Sequence, residues 1–349
     1  MYKKVIDGKT VYSTCSSIKP EHTHNNLASG QWAANSCISN PPLDLIIAEG
    51  WEPCEVEPPI LYEGHEPYPE DTDYIDFIQK HPEYKSVICQ VKNGIVYHYT
   101  TWEVLFNGIL CQDNLSTNKA VLRAHSINYM NDESEGLELP YMFSELEKEK
   151  YPNSANKFPG ATLSRYEMYR YCARDNKQKL FSISFSHNPD SLPMWNYYGQ
   201  KGKGLSIGFS VYDILNQGYN LYDCIYDLMH KKELGKCLFD NYWTGRMVNK
   251  AGLLFKDDHF DYEKECRIPI LSFCKEYCLN LRNQFFPIKY DIKDGLIVPF
   301  VELYLPLTSI KEIYIGPTNS PTRAKDSLKG WLDSIGLHPQ IKVSTVPLA

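Results

Sequence analysis

Three separated pieces of this chain carry residue types that can do chemistry. The first is Tyr97-His98-Tyr99-Thr100, where a short apolar strand runs into a helix start. The second is Phe181-Ser182-Ile183-Ser184-Phe185-Ser186, followed shortly by Pro193-Met194-Trp195-Asn196-Tyr197-Tyr198-Gly199. The third is Asp261-Tyr262-Glu263-Lys264-Glu265-Cys266-Arg267, in which an E-x-E pair enters an apolar strand. Carboxylates two residues apart on a strand face the same side, so both can act on one group. With Asp257 and Asp258 added, the same acids could hold Mg²⁺ in a metal-dependent nuclease. Against that, Glu265 occupies the place two residues after the first acid, where such a strand usually carries lysine. Each piece also has a plain structural reading. The glutamates could be a solvated strand face with Arg267 as same-face partner, the aromatics could be packing, and alternating serines are common on strands.

The elements that must position these residues are legible from periodicity. Ile95–Tyr99 reads as a strand, and Thr100 to Glu103 as a capping box opening a helix whose buried stripe is Trp102, Leu105 and Ile109. Residues 181–186 alternate with period two, as a half-buried strand does. The glycine-rich turn Gly199–Gly204 leads into a strand, not a helix, which argues against a phosphate-cradling loop there. Further strands are predicted near 221–226, 266–272, 297–304 and 311–315, and helices around 136–149 and 162–177. The loop Asn131–Gly136 reads as a cap with first-turn acids, or as an active-site loop. A last helix starts at Ser320-Pro321. Residues 1–90 read as an N-terminal extension. A hairpin turns at Asp7-Gly8, a proline- and acid-rich stretch covers 40–73, and a short helix over 72–81 presents Tyr74, Phe77 and Ile78 on one face. Residues 91–349 read as one α+β domain.

Composition bounds the function. Among 349 residues, 43% are hydrophobic, enough for a proper core. The net charge of −7 argues against nonspecific grip on nucleic acid through phosphates. Eleven scattered cysteines, odd in number and without a CxxC pair, fit reduced thiols in the cytoplasm. The basic start lacks an apolar stretch behind it, unlike a signal peptide. No apolar run reaches the ~18 residues a membrane helix needs, and the stretch 296–307 is broken by two prolines and a glutamate. There is no HExxH, zinc-finger spacing or Walker loop, so the spacing assigns no metal.

Taken together, the pieces resemble the ADP-ribosyltransferase superfamily. They are closest to a bacterial family carrying YHYT, NDxxEG, PMWxxYG, GxxIGF, ExExR and IGP. Here these strings stand at Tyr97–Thr100, Asn131–Gly136, Pro193–Gly199, Gly204–Phe209, Glu263–Arg267 and Ile315–Pro317. The resemblance spans about residues 95–317. It implies an ADP-ribosyltransferase-like split β-sheet core with peripheral helices, and NAD as co-substrate. ADP-ribose would pass to a macromolecular acceptor, protein, RNA or DNA, as in a toxin or phage-defence effector with a neutralising or regulatory protein partner. It assigns catalysis to Glu265 beside the ribose and to Glu263 at the acceptor. NAD would be held by His98, Tyr99, Thr100, Ser184, Ser186 and Tyr198. A non-catalytic nucleotide- or partner-binding module of the same fold is the remaining alternative.

Overall fold

The computed structural model describes residues 2–6, 9–13, 52–53, 72–130, 136, 138–150, 178–241, 246–273, 286–293, 295–317 and 320–347. The helix predicted around 162–177, loop residues 131–135 and nearly all of the proline-rich stretch lie outside them.

Packing divides the chain into two units, Met1–Glu66 with Ser272–Pro287, and Pro67–Leu271 with Ile288–Ala349. In the smaller, β1 (Tyr2–Ile6) pairs antiparallel with β2 (Lys9–Ser13). Ile6 faces Lys9, and the predicted turn residues Asp7 and Gly8 lie outside the described residues. A short β3 (Glu52–Pro53) pairs with the other edge of β1.

The larger unit is mixed α+β, with a large open sheet and peripheral helices. Its strands are β4 (Ile95–Thr100), β5 (Lys119–Ser126), β6 (Gln178–Ser186), β7 (Leu205–Ser210), β8 (Tyr222–Asp223), β9 (Glu265–Phe273), β10 (Lys289–Lys293), β11 (Leu296–Pro306), β12 (Ile310–Ile315) and β13 (Gln340–Val343). The main path runs β10-β11-β5-β6-β4-β7-β12-β13, while β9 pairs with β6 and β8 off that path. Every residue of β7 is buried, with the small Ser206 and Gly208 alternating with the apolar Leu205, Ile207 and Phe209. A strand covered on both faces reads this way.

The sheet forks at β6, which has β5, β4 and β9 as partners. Between β4 and β6 one residue pair is made, Tyr97 opposite Ser186, and the strands then part. The fork opens a space at the strand ends, and the pieces singled out in the sequence surround it.

Helices pack outside. The first, α1 (Thr72–Lys80), buries Phe77 and half-buries Tyr74 and Ile78, as its periodicity predicts. This helix joins a cluster with Leu139 and Phe143 of α2 (Glu138–Lys150), Leu234 and Leu238 of α3 (Leu228–Asn241), and Val248 and Leu254 of α4 (Arg246–Leu254). It therefore belongs to the larger unit, although it falls within the segment read as the extension. No helix among the described residues is long and apolar enough to cross a membrane.

The capping box is displaced by one residue. Thr100 ends β4, buried and paired with Leu205. Thr101 is the cap instead, its side chain accepting from Val104 N at 3.1 Å. Only the residue that has left the ladder has the extended backbone and free hydroxyl a cap needs. Of the predicted stripe, Leu105 and Ile109 are buried, whereas Trp102 sits at the edge and donates to Lys203 O.

Gly204 is where backbones meet most closely. It donates to Gly199 O at 2.8 Å, and its carbonyl accepts from Gly316 N at 3.0 Å. A methyl group there would lie 2.3 Å from Thr100 O and 2.9 Å from Gly199. Gly204→Ala should therefore cost about 1–3 kcal/mol through overpacking. Urea unfolding would show it as a lower midpoint at unchanged slope.

Candidate active site

Glu263 and Glu265 reach one place by different routes. Glu265 opens β9. Glu263 ends a 3-10 helix over Asp258–Glu263, and Lys264 between them takes a left-handed backbone with φ 44°. The two acids are therefore not neighbours on one strand face, as alternation predicts. The turn at Lys264 ends the strand before Glu263, and a cation joins the carboxylates instead.

That cation is Lys256. Its Nζ lies 2.6 Å from Glu263 Oε2 and 2.5 Å from Glu265 Oε2, and all three side chains are buried. Arg267 adds a second positive group, with Nε 2.6 Å from Glu265 Oε1 and Nη2 3.0 Å from Oε2. The same-face pairing of Glu265 with Arg267 is present, yet it is buried, not solvated. Lys256 is itself held by its main chain, which donates to Ile225 O and accepts from Lys231 Nζ at 2.9 Å. Its ammonium also lies 5.2 Å from the centre of the Phe260 ring, within cation–π range.

The cluster drives the two carboxyls apart. Burial alone would push both up. At Glu265, Arg267 and Lys256 overcome burial and hold the carboxyl well below the usual range. At Glu263, burial prevails over Lys256, with the charge of Glu265 acting in the same direction, so the carboxyl is raised. Tyr198 donates to Glu263 Oε1 at 2.8 Å, and burial beside that acid raises its phenol.

These groups border a pocket of about 450 Å³, within the size range of small-molecule sites. His98, Tyr99, Ser184, Tyr198, Glu263 and Glu265 all line it. Residues far apart in the chain therefore converge. His98 stands in the fork, its Nδ1 3.1 Å from the Ser184 carbonyl. The carbonyl can only accept, so Nδ1 carries the proton and Nε2 of the neutral ring is the acceptor. Burial lowers the imidazole below its ordinary value, which keeps it neutral at pH 7.

Two of the residues named from sequence do not line the pocket. Thr100 is held in the β4–β7 ladder. Ser186 lies one pair from the fork, where its hydroxyl donates to the main-chain carbonyl of Glu263 at 2.6 Å and accepts from Asn188 N. It braces the segment carrying the acid without facing the cavity. Tyr99 borders the pocket, but its hydroxyl donates to Asn188 O and accepts from Ser191 N. Of the loop 131–136, only Gly136 is described.

Sequence reading missed Lys256, Lys293 and Phe260, and left Tyr197 and Tyr262, which stand in the quoted pieces, without a site role. Lys256 had one signal, a lone base ending the apolar run Leu253-Leu254-Phe255. The short helix Leu192–Tyr197, which with its cap residue Tyr198 forms one side of the wall, is anchored through Asp190. That carboxylate accepts from Trp195 Nε1 at 2.7 Å and Thr345 N at 2.8 Å, and also from the Ser344 hydroxyl.

Fold and site together define a mixed α+β protein with a buried charge cluster at the floor of a small-molecule-sized pocket. Residues 194–268, about a fifth of the chain, match the family model described as protein of unknown function (DUF2971). That match runs from Met194 on the pocket wall to one residue past Arg267. No curated protein matches the chain.

Removing Lys256 leaves two buried carboxylates without their shared cation. Lys256→Met should destabilise the fold by about 3–5 kcal/mol, the cost of breaking a buried ion pair. Chemical denaturation of the variant beside wild type measures it.

Proposed function

We propose that this pocket binds NAD and that the chain transfers ADP-ribose from it to a macromolecular acceptor, protein or nucleic acid. One observation carries the reading: two buried glutamates with carboxyls shifted in opposite directions share a pocket with a neutral histidine and a wall of aromatic rings. Cleaving the nicotinamide–ribose bond builds positive charge on the sugar, as glycoside cleavage does. Glu265, kept ionised by Arg267 and Lys256, supplies a fixed negative charge beside that sugar. Glu263, with its raised carboxyl, takes the proton of the attacking acceptor. Opposite shifts in a carboxyl pair mark such a division of labour. His98 Nε2 accepts from a ribose hydroxyl, the tyrosine rings stack against nicotinamide, and Lys293 at the pocket edge meets the pyrophosphate. An ADP-ribosyltransferase-like split sheet is the finer fold assignment that goes with this reading, and the fork at β6 supports it.

The nuclease reading has less support. Asp257 and Asp258 do not border the pocket, and Asp257 accepts from His259 N at 2.9 Å. Lys256 holds the position between Glu263 and Glu265 that a divalent ion would need.

The test is incubation of the full chain with NAD labelled in its adenylate half, following label transfer and nicotinamide release. Wild type should do both, and Glu265→Gln should lower the rate roughly 10²–10³-fold, the cost of one preorganised electrostatic partner. Circular dichroism checks that the variant is folded, and Tyr198→Phe should impair turnover less. If folded wild type neither binds nor cleaves NAD, the reading fails. Divalent-metal-dependent cleavage of RNA or DNA would then favour the nuclease.

A further inference from the structure

A second group of chemistry-bearing side chains lies behind the pocket floor. Successive residues on a strand point to opposite faces, so Cys266 turns away from the side that Glu265 serves. In the β8–β9 pairing Cys266 stands directly opposite Asp223. On its other edge Asp223 donates its N–H to Cys89 O at 2.9 Å, next to the antiparallel bridge between Gln90 and Tyr222. Residues directly opposite in antiparallel pairs share a face. Cys89, Asp223 and Cys266 therefore form one cross-strand row.

His187, the first residue after β6, joins this row. Its N–H donates to Lys264 O at 3.0 Å, and its Nε2 lies 2.6 Å from Asp223 Oδ1. A ring nitrogen of His187, a carboxylate oxygen of Asp223 and Cys266 Sγ all lie within 4.8 Å of one another.

We propose that His187, Asp223 and Cys266 bind a divalent metal of the zinc class, with Cys89 as the fourth side chain. Ligands at zinc distances sit about 3.3–3.8 Å apart in a tetrahedron, and the three atoms here already lie within 4.8 Å of one another. Thiolate with imidazole selects zinc and its neighbours over magnesium or calcium. Cys89 Sγ lies 3.2 Å from Ser86 O, outside the close trio, and its residue stands next to Asp223 in the row through the Asp223 N–H bond to its carbonyl. His187 and Asp223 are each 41% exposed, which provides an entry path for the ion, while Cys266 is buried. Binding releases the thiol protons to solvent and leaves thiolates on the metal.

The consequence is mechanical. Cys266 adjoins Glu265, and His187 adjoins Ser186, which braces Glu263. A bound ion would tie β6, β8 and β9 together directly behind the two acids. This inference stands apart from the NAD reading, since the metal lies outside the pocket and either can fail alone.

The test uses the reduced full-length chain, stripped with a chelator and titrated with Co²⁺. Expected are a near-ultraviolet thiolate-to-cobalt charge-transfer band and visible tetrahedral bands, saturating at about one equivalent and displaced by Zn²⁺. The double variant Cys89→Ala with Cys266→Ala should lose the charge-transfer band. His187→Ala, at a part-exposed position outside the core, should weaken Co²⁺ binding by at least about 10-fold and remove the zinc-dependent rise in Tm. A folded wild type with no charge-transfer band overturns the proposal. So does a band that His187→Ala leaves unchanged, which would assign the metal to other cysteines of the chain.

Discussion

One ammonium buried between two carboxylates holds the centre of the larger unit together. Lys256 touches Glu263 and Glu265, and Arg267 completes a cluster of two negative and two positive groups. Any one of these charges alone would be costly to bury, and together they neutralise one another. The requirement propagates outward. Lys231 of α3 is itself buried, donates to both oxygens of Glu138 at 2.8 Å, and reaches the Lys256 carbonyl. The helical layer is in this way tied to the floor of the pocket through a chain of hydrogen bonds.

The fork at β6 is the second constraint. A continuous sheet would satisfy the Ser184 carbonyl through the ladder and leave no cavity between β4 and β6. Here the strands make one pair and part, and the imidazole of His98 meets that carbonyl. The same side chain satisfies a buried acceptor and borders the pocket, so its tautomer follows from the sheet geometry. Phe185, 5.9 Å from the ring centre, packs edge-on against it.

On the opposite wall the C-terminal segment takes part. Ser344 and Thr345 bind Asp190, which also receives the Trp195 indole, and Trp195 packs against Tyr99 at 4.9 Å. Below them Tyr97 donates to Glu312, which also accepts from Lys342. These polar contacts join β4, β12 and β13 with the helix that carries Tyr197 and Tyr198. The rings that would meet a ligand are thus set by residues more than a hundred positions away.

Local pattern alone was enough to place β4, β6, β7, β11, β12, the first helix and the last, because each has a clear period, cap or turn residue. Residue type marked out the pieces that carry His98, Tyr198, Glu263 and Glu265, and it was the family resemblance that singled out those four within them. Local pattern did not reveal β5, β10 or β13, nor the break at Lys264, which depends on how the chain enters β9. Lys256, the row Cys89–Asp223–Cys266 and the separation of Ser184 from Ser186 were decided only by tertiary structure. Charge pairing and cross-strand adjacency join residues distant in sequence, and no local period records which strands become neighbours.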